Sequence, residues 1–347
     1  MAKLNPIEQS KFIEKEYREF LKDTFYFEDT DYEKQFLEEL DNESLYKGPY
    51  LNLNLPFKSS FSINQLIEKG EMSPLFKNLS NINFDLKLYT HQYKSLTKIK
   101  EGRNVVITTG TGSGKTESFL YPILNSILTD IENGNNGAGI RAIFLYPMNA
   151  LVNDQIDRVR KILRNYPEIK YGFYTGDTPN DYEHNKGYKA KIENLNGCEI
   201  PPNEMLFRED MRKEPPHLMF TNYSMLEYML IRPNDKSMFK PEYLDKWKFV
   251  VLDEAHTYNG ALGIELSYLL RRLTGLIPKK PQFILTSATL GEKNKDEDKI
   301  IKFANSLTSA EYTNDDIIFS DRIFLDRKNI EYTINPKEYI DIEKSID

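Results

Sequence analysis

Residues 109–116 are the part of the chain whose types and spacing point most directly to chemistry. They form the run Thr109-Gly110-Thr111-Gly112-Ser113-Gly114-Lys115-Thr116, with Thr109 where the strict phosphate-loop pattern has glycine. Glycines let a loop curl so that several backbone N–H groups point at one phosphate, and a following helix adds partial positive charge. The lysine of such a loop contacts the β- and γ-phosphates, and the hydroxyl of Thr116 coordinates Mg²⁺. We therefore predict a nucleotide site here, the alternative being a flexible Gly/Ser turn.

A second group of candidates, Asp253-Glu254-Ala255-His256, follows the apolar run at residues 249–252. In open parallel sheets, ligands bind at the carboxyl ends of the strands. Asp253 is expected to hold Mg²⁺ through its water shell, and Glu254 to orient and deprotonate the water that attacks the γ-phosphate. With Lys115 and His256 they form the predicted catalytic set. Acid pairs at strand ends are often only caps, so this prediction depends on the loop at residues 109–116.

Weaker candidates lie on either side of these groups. Gln92 precedes the loop, and a glutamine amide offers the donor and acceptor needed to recognise an adenine edge, although such a residue is more often simply at the surface. Ser287 and Thr289 end the last predicted strand. Their hydroxyls are expected either to cap that strand or to sense the state of the phosphate site.

The elements that must position these residues alternate between short apolar strands and longer helical patterns. Such alternation predicts βαβ units and an α/β fold, a mostly parallel sheet flanked by helices. Apolar residues at helical spacing follow the loop at residues 119–128 and recur at 151–163 and 262–273. The predicted strands are Val105–Thr108, Ala142–Tyr146, Tyr171–Tyr174, Leu218–Thr221, Phe249–Leu252 and Phe283–Ser287.

Changes of pattern along the chain predict its domain organisation. Residues 1–83 are expected to form a mainly helical N-terminal extension that packs on the main domain, with a short strand near residues 51–55 and a helix ending at Gly70. Residues 84–330 form the predicted main domain. Its charged, proline-punctuated segment at about 180–216 is expected to be an irregular insertion. Residues 331–347 are expected to be a tail.

Composition limits the class of protein. The chain has 347 residues and a net charge of −7, which argues against a generally basic nucleic-acid coat but leaves room for a local basic strip. No apolar run is long enough to span a bilayer, and the first residues lack the apolar core of a signal peptide. A single cysteine, Cys198, excludes an internal disulfide framework. We therefore expect a cytoplasmic protein without membrane contact.

Seven segments follow one another along the chain: Tyr89–Gln92, Thr109–Thr116, Tyr146–Leu151, Thr175–Asp177, Thr221–Leu226, Asp253–His256 and Ser287–Thr289. Together they resemble the first RecA-like domain of a superfamily 2 DEAH-box helicase. Within that superfamily, the chain also resembles bacterial DNA helicases of the MrfA/YprA type, and relatives with this motif set occur in phage-defence systems.

The resemblance implies a role for each matching position. It implies ATP and Mg²⁺ as ligands of the loop, with Gln92 at the adenine, and it implies that Ser287 and Thr289 link hydrolysis to movement. It further implies that a nucleic-acid strand contacts a set of small residues at loop starts, which suits phosphate binding without base recognition. That set is Asn149, Thr175, Gly176 and Thr221.

One departure from the family pattern concerns the second motor lobe. No Gln-x-x-Gly-Arg-type segment that would supply arginine fingers follows Gly291. We therefore expect a second RecA-like lobe supplied in cis or by another protein. The resemblance itself implies DNA as a partner. Two alternatives remain open at this level, an RNA helicase lobe and a non-motor ATP-binding subunit that regulates a partner.

Overall fold

The computed structural model describes residues 5–25, 27–43, 45, 55–110, 112–196, 199–288, 291 and 295–323. Thr111, Cys198, Thr289, the strand expected near residues 51–55 (except Leu55) and the tail at 331–347 lie outside the described residues. The chain divides into two compact units, one ending at Leu55 and the other beginning at Pro56. This division does not coincide with the predicted boundary at residue 83, because residues 56–83 are part of the larger unit.

The smaller unit contains two helices, in agreement with the expected mainly helical extension. They are α1 (Pro6–Thr24) and α2 (Thr30–Asn42). The carboxylate of Asp29 accepts backbone N–H groups at the start of α2 and so caps it. Arg18 joins the pair, because its guanidinium binds Glu14 at 2.7 Å and the carbonyl oxygen of Glu43 at 2.7 Å. The described residues of this unit are therefore mainly helical, as predicted.

The larger unit is built on an eight-stranded sheet whose strands are all parallel. The predicted α/β fold is thus confirmed, as are the six predicted strands, two of them one residue longer than expected. The sheet order is β10-β3-β9-β8-β4-β7-β5-β6. Its strands are β3 (Val105–Thr108), β4 (Ala142–Tyr146), β5 (Tyr171–Tyr174), β6 (Glu204–Met205), β7 (Leu218–Asn222), β8 (Phe249–Leu252), β9 (Gln282–Ser287) and β10 (Ile317–Phe319).

Helices cover both faces of this sheet. Apolar side chains of α4, α5 and α6 pack on one face, and those of α9, α11 and α12 pack on the other. The central strands are buried on both sides, which explains their nearly continuous apolar sequences. The helices are α3 (Ile63–Glu68), α4 (Thr90–Lys100), α5 (Lys115–Glu132), α6 (Asn149–Leu163), α7 (Tyr188–Asn196), α8 (Arg208–Lys213), α9 (Tyr223–Ile231), α10 (Pro241–Leu244), α11 (Gly260–Leu276) and α12 (Glu297–Thr308).

The segment before the loop forms a small antiparallel sheet. Its strands are β1 (Ser59–Ser62) and β2 (Lys87–Tyr89), and α3 follows β1 directly. The expected stop at Gly70 is present, since this glycine has a left-handed φ of +69° two residues after the helix ends. Because β2 leads straight into α4, this small sheet sets where α4 begins.

The insertion expected to be irregular is instead structured. It contains α7, β6 and α8, and β6 extends the main sheet by pairing with β5. A buried ion pair holds the insertion to α6, with Arg160 donating to both carboxylate oxygens of Glu204 at 2.7 and 2.8 Å. Prolines and charges suggested a loop, but the pairing of β6 depends on contacts distant in sequence that local composition does not encode.

No helix in the described residues is both long enough and apolar enough to cross a lipid bilayer.

A buried histidine marks the amino end of the sheet. His217 accepts the backbone N–H of Lys170 through Nδ1 at 2.9 Å, and its Nε2 lies 3.2 Å from the carbonyl oxygen of Asn136. Burial, with Arg141 nearby, lowers the pKa of His217 to about 4. Protonation of Nδ1 would also remove the acceptor of the Lys170 N–H. The folded state therefore favours neutral His217.

We expect His217 to reduce stability at mildly acidic pH. Its pKa in the folded state lies below the 6.5 of an unfolded histidine, so between these values the unfolded chain binds more protons and stability falls as the pH falls. The free energy of unfolding should drop by about 2 kcal/mol from about pH 7 to about pH 5 through this residue. Urea unfolding of His217→Gln should show that much less pH dependence. The exposed His184→Gln is the control, and equal pH dependence in the two variants would contradict the assignment.

Candidate nucleotide-binding site

The carboxyl ends of the parallel strands lie together at one edge of the sheet, here called the carboxyl edge. Thr108 of β3 is paired in register with Ser287 of β9, and Leu252 of β8 with Leu285 of β9. Three predicted groups follow these neighbouring strands. The glycine-rich loop follows β3, the acidic group starting at Asp253 follows β8, and Ser287 ends β9 between them. The structure therefore brings together residues that are far apart in the sequence.

The loop has the geometry of an anion cradle. Gly112 and Gly114 have left-handed φ angles of +71° and +70°, and the long helix α5 begins directly after Gly114. The backbone N–H of Thr109 donates to the carbonyl oxygen of Ser287, and Ser113 Oγ donates to Thr109 Oγ1 at 2.9 Å. Left-handed glycines and the positive end of a helix are the features with which such a loop binds an anion. Thr116 lies in the first turn of that helix.

Two side chains of α4 contact the carbonyl oxygens of the loop. His91 is fully buried, and its Nε2 lies 2.8 Å from the carbonyl oxygen of Ser113. Gln92 donates from Nε2 to the carbonyl oxygen of Gly114 at 3.0 Å, while its Oε1 accepts the N–H of Tyr89 at 2.8 Å. The predicted contact of Gln92 with adenine stays a prediction. Sequence reasoning missed His91, although its position next to Gln92 was the available signal.

The lysine of the loop is joined to the acidic group by an ion pair. Lys115 Nζ lies 2.9 Å from Glu254 Oε1, and both side chains are largely buried. Glu254 adopts a left-handed φ of +48°, which costs an ordinary residue about 1–3 kcal/mol and is typical of functional sites. Lys115 therefore already lies at the cradle, with its charge balanced by the carboxylate predicted to activate water.

Asp253 lies deeper than its neighbour. It is 8% exposed, its N–H donates to Leu145 of β4, and Thr286 Oγ1 donates to its carboxylate. Burial raises the pKa of Asp253, and the Thr286 hydroxyl and Lys115 act in the opposite direction. Thr286 is a second residue that sequence reasoning missed, and its place just before Ser287 in the last strand was the signal.

The oxygen donors at this site suit Mg²⁺. The carboxylate of Asp253 and the hydroxyl of Thr116 are hard ligands, which Mg²⁺ prefers. Among the described residues there is no group of three or more His, Cys, Asp or Glu side chains able to hold a metal ion by themselves. Such a donor set fits an ion that is shared with the phosphates of a nucleotide rather than caged by protein.

His256 connects the acidic group to β9. Its Nδ1 lies 3.0 Å from Ser287 Oγ and 3.3 Å from Glu254 Oε2. This places the imidazole between the carboxylate at the nucleotide site and the hydroxyl predicted to sense that site.

The residues predicted to contact a nucleic-acid strand lie at the carboxyl ends of β4, β7 and β5, which are neighbours in the sheet. Asn149 accepts from Asn222 Nδ2 at 2.7 Å and donates to Asp177 at 3.3 Å. Gly176 is exposed, whereas the side chains of Thr175 and Thr221 are buried and bonded to protein atoms. The structure thus groups the four residues but leaves only Asn149 and Gly176 accessible at the surface.

Comparison with known proteins places this arrangement in a wider context. Residues 89–297 match the family model described as DEAD/DEAH box helicase. Druantia protein DruE of Escherichia coli (strain UMEA 4076-1) is 31% identical over 364 residues, covering 79% of this chain and 20% of DruE. The uncharacterized ATP-dependent helicase YprA of Bacillus subtilis (strain 168) is 31% identical over 208 residues, covering 59% of this chain and 23% of YprA. The chain thus spans about a fifth of these relatives.

Solved structures show the same fold. The crystal structure of DUF1998 helicase MrfA bound to DNA is similar with a TM-score of 0.55 and 26% identity, over 76% of this chain and 29% of MrfA. The structure of Mss116p bound to ssRNA and AMP-PNP has a TM-score of 0.54 and 20% identity, over 78% of this chain and 48% of that chain. At that identity the second similarity concerns the fold alone.

We expect Gly114→Ala to destabilise the protein more than Gly102→Ala. Both glycines have left-handed backbone, with φ of +70° at Gly114 and +82° at Gly102. This conformation costs a residue with a Cβ atom about 1–2 kcal/mol. A Cβ at Gly114 would lie 2.4 Å from Gln92 Nε2, whereas nothing lies within 4 Å of one at Gly102. The amide must then move and lose its hydrogen bond, which adds about 1 kcal/mol. Urea unfolding measures both costs.

A double substitution tests the stated cause. In a Gln92→Ala background the two glycine substitutions should cost about the same. An extra cost at Gly114 that persists without the Gln92 side chain would show that the loop rejects Cβ for another reason.

Proposed function

Because this chain belongs to the DEAD/DEAH box helicase family, we propose that it is the ATP-binding motor lobe of an ATP-dependent DNA helicase or translocase. The observation that carries the proposal is the Lys115–Glu254 ion pair at 2.9 Å, which unites the phosphate loop with the acid predicted to activate water. The proposal covers more than nucleotide binding, since the carboxyl edge also groups Asn149 and Gly176 beside the site.

In the proposed reaction, Lys115 changes partners when ATP binds. The backbone N–H groups of the loop and the start of α5 hold the phosphates, and Lys115 moves from Glu254 to the β- and γ-phosphates. Glu254 is then free to orient the attacking water and accept its proton. Asp253 and Thr116 would hold Mg²⁺, which neutralises charge on the phosphates when bound. The Thr286 hydroxyl keeps the carboxylate of Asp253 in place for that role.

Movement would follow from contacts at the end of β9. The carbonyl oxygen of Ser287 accepts from the loop, and its hydroxyl contacts His256. A movement of the loop or of the acidic group would therefore move Ser287. Thr289 is proposed to share that role. Among the described residues, Lys115 is the lysine or arginine that pairs with Glu254. The transition state of phosphoryl transfer needs more positive charge than one lysine provides. We propose that a second RecA-like lobe, in cis or in a partner protein, supplies it.

The strand and the biological setting are part of the same proposal. DNA is favoured over RNA because the chain shares 26% identity with MrfA, which was solved bound to DNA. We further propose a role in phage defence or DNA repair and a location in the cytoplasm. Similarity to DruE supports the role in defence.

We expect Lys115→Ala to weaken ATP binding strongly. The phosphates lose a charge-assisted contact worth about 1.5–3 kcal/mol, roughly ten- to hundredfold in the dissociation constant, and Glu254 is left unneutralised beside them. Calorimetric titration with ATP and Mg²⁺ measures the effect. Lys98→Ala is the matched control, since Lys98 also pairs with a glutamate, Glu101, at 3.9 Å. Equal affinities for the two variants would contradict the assignment of the loop.

Glu254→Gln should separate binding from hydrolysis. The amide cannot accept the proton of water, so hydrolysis should fall by about 10²–10⁴-fold. ATP affinity should stay the same or increase, because Lys115 no longer has to leave a carboxylate. Single-turnover hydrolysis beside a binding titration distinguishes the two effects, with Glu101→Gln as control. Loss of binding together with rate would mean that Glu254 only supports the fold.

A further inference from the structure

The structured insertion reaches the carboxyl edge through one arginine. Arg208, at the start of α8, donates from Nη2 to the carbonyl oxygens of Thr175 at 2.6 Å and Gly176 at 3.1 Å. Its guanidinium also lies over the ring of Tyr174, 5.4 Å from the centroid. The insertion therefore places a positive charge directly beside the exposed Gly176.

This charge is not balanced by nearby acids. Asp235 is bonded by Arg212 Nε at 2.7 Å and by the hydroxyl of Tyr174. Within the described residues, no carboxylate lies within ion-pair distance of Arg208 or Arg232. Burial lowers the pKa of Arg208, and the like charges of Arg232 and Arg212 lower it further. The arginine cluster of Arg208, Arg212 and Arg232 therefore carries more positive charge than its single buried aspartate, Asp235, compensates.

Arg232 completes the cluster from the end of α9. Its guanidinium lies 4.6 Å from the ring centroid of Tyr228, whose side chain is half exposed. The acid next to Gly176 is Asp177, which accepts from Asn149. Arg208 thus lies beside the loop at Gly176, and Arg232 is close enough for its like charge to act on Arg208. Both are half-buried cations without an acidic partner in the described part of the chain.

We propose that Arg208 and Arg232 together bind a backbone phosphate of the nucleic-acid strand next to Gly176, so that the insertion forms part of the strand-binding surface. This inference rests on the proposed function and deepens it by naming residues outside the segments that suggested it. Planar guanidinium groups suit phosphate oxygens, and such contacts position a strand without selecting its sequence.

A local cation pair also explains how an acidic chain can bind a polyanion. Affinity for nucleic acid depends on the charge at the contact surface rather than on the net charge of −7. Each phosphate neutralised on a single strand contributes about 0.7 to the slope of log affinity against log salt. The arginine pair should therefore appear in the salt dependence, which a merely structural residue does not change.

Arg232→Ala tests the site with little risk to the fold, because Arg232 does not hold the loop carbonyls. Binding of the full chain to a fluorescent single-stranded oligothymidylate is measured between about 50 and 200 mM salt. We expect the magnitude of the slope of log affinity against log salt to decrease by about 0.7, and by the same amount for other base sequences. Arg232→Lys keeps the charge and should keep the wild-type slope. The control is Arg271→Ala, since Arg271 also lies over a tyrosine ring, 5.6 Å from the centroid of Tyr268 on α11.

Arg208→Gln is the second variant. It removes the charge but keeps an amide donor for the carbonyl oxygens, and it should reduce the slope by a similar amount. Unchanged slopes in both variants, or an equal decrease in Arg271→Ala, would overturn the arginine site while leaving the proposed function intact. Failure of the unsubstituted chain to bind the strand at the lowest salt would overturn both. Wild-type nucleotide affinity in each variant confirms that the nucleotide site is undisturbed.

Discussion

The ion pair between Lys115 and Glu254 depends on the order of three parallel strands. β3 carries the phosphate loop, β8 carries the acidic group, and β9 lies between them, so that both loops leave the same edge on either side of Ser287. Parallel strands align their carboxyl ends, and for that reason a lysine and a glutamate 139 positions apart meet at 2.9 Å. Every chemical role proposed for the site requires this alignment.

The surroundings of Asp253 make the site responsive to a cation. Asp253 is buried at the junction of β8 with β4, where its N–H donates to Leu145. Burial raises the pKa of Tyr146, the nearby Asp253 raises it further, and the phenol stays neutral beside the carboxylate. A buried carboxylate gains more from a bound metal ion than one exposed to water, because water no longer screens the charges. At this junction the strands that carry the nucleotide site, β3, β9 and β8, meet β4, after which Asn149 follows.

The insertion shows how a segment of mixed charge can contribute to a surface in two ways. Its strand β6 extends the sheet, and the buried Arg160–Glu204 pair holds it to α6. Its helix α8 then brings Arg208 to the carbonyl oxygens of Thr175 and Gly176. Positive charge is thus concentrated at one point of a chain whose net charge is negative, which is what strand binding requires of an acidic protein.

Local sequence determined those features that depend on near neighbours. Short apolar runs identified the six central strands, because strands buried on both faces need apolar residues throughout. The glycines at 112 and 114 marked a loop that needs left-handed backbone. Only the tertiary structure decided which distant residues meet. It joined β10 to β3, turned an expected loop into β6 and α8, buried Thr221, and placed Arg208 beside Gly176. These outcomes depend on strand order and on contacts between residues far apart in the chain, which periodicity and local composition do not encode.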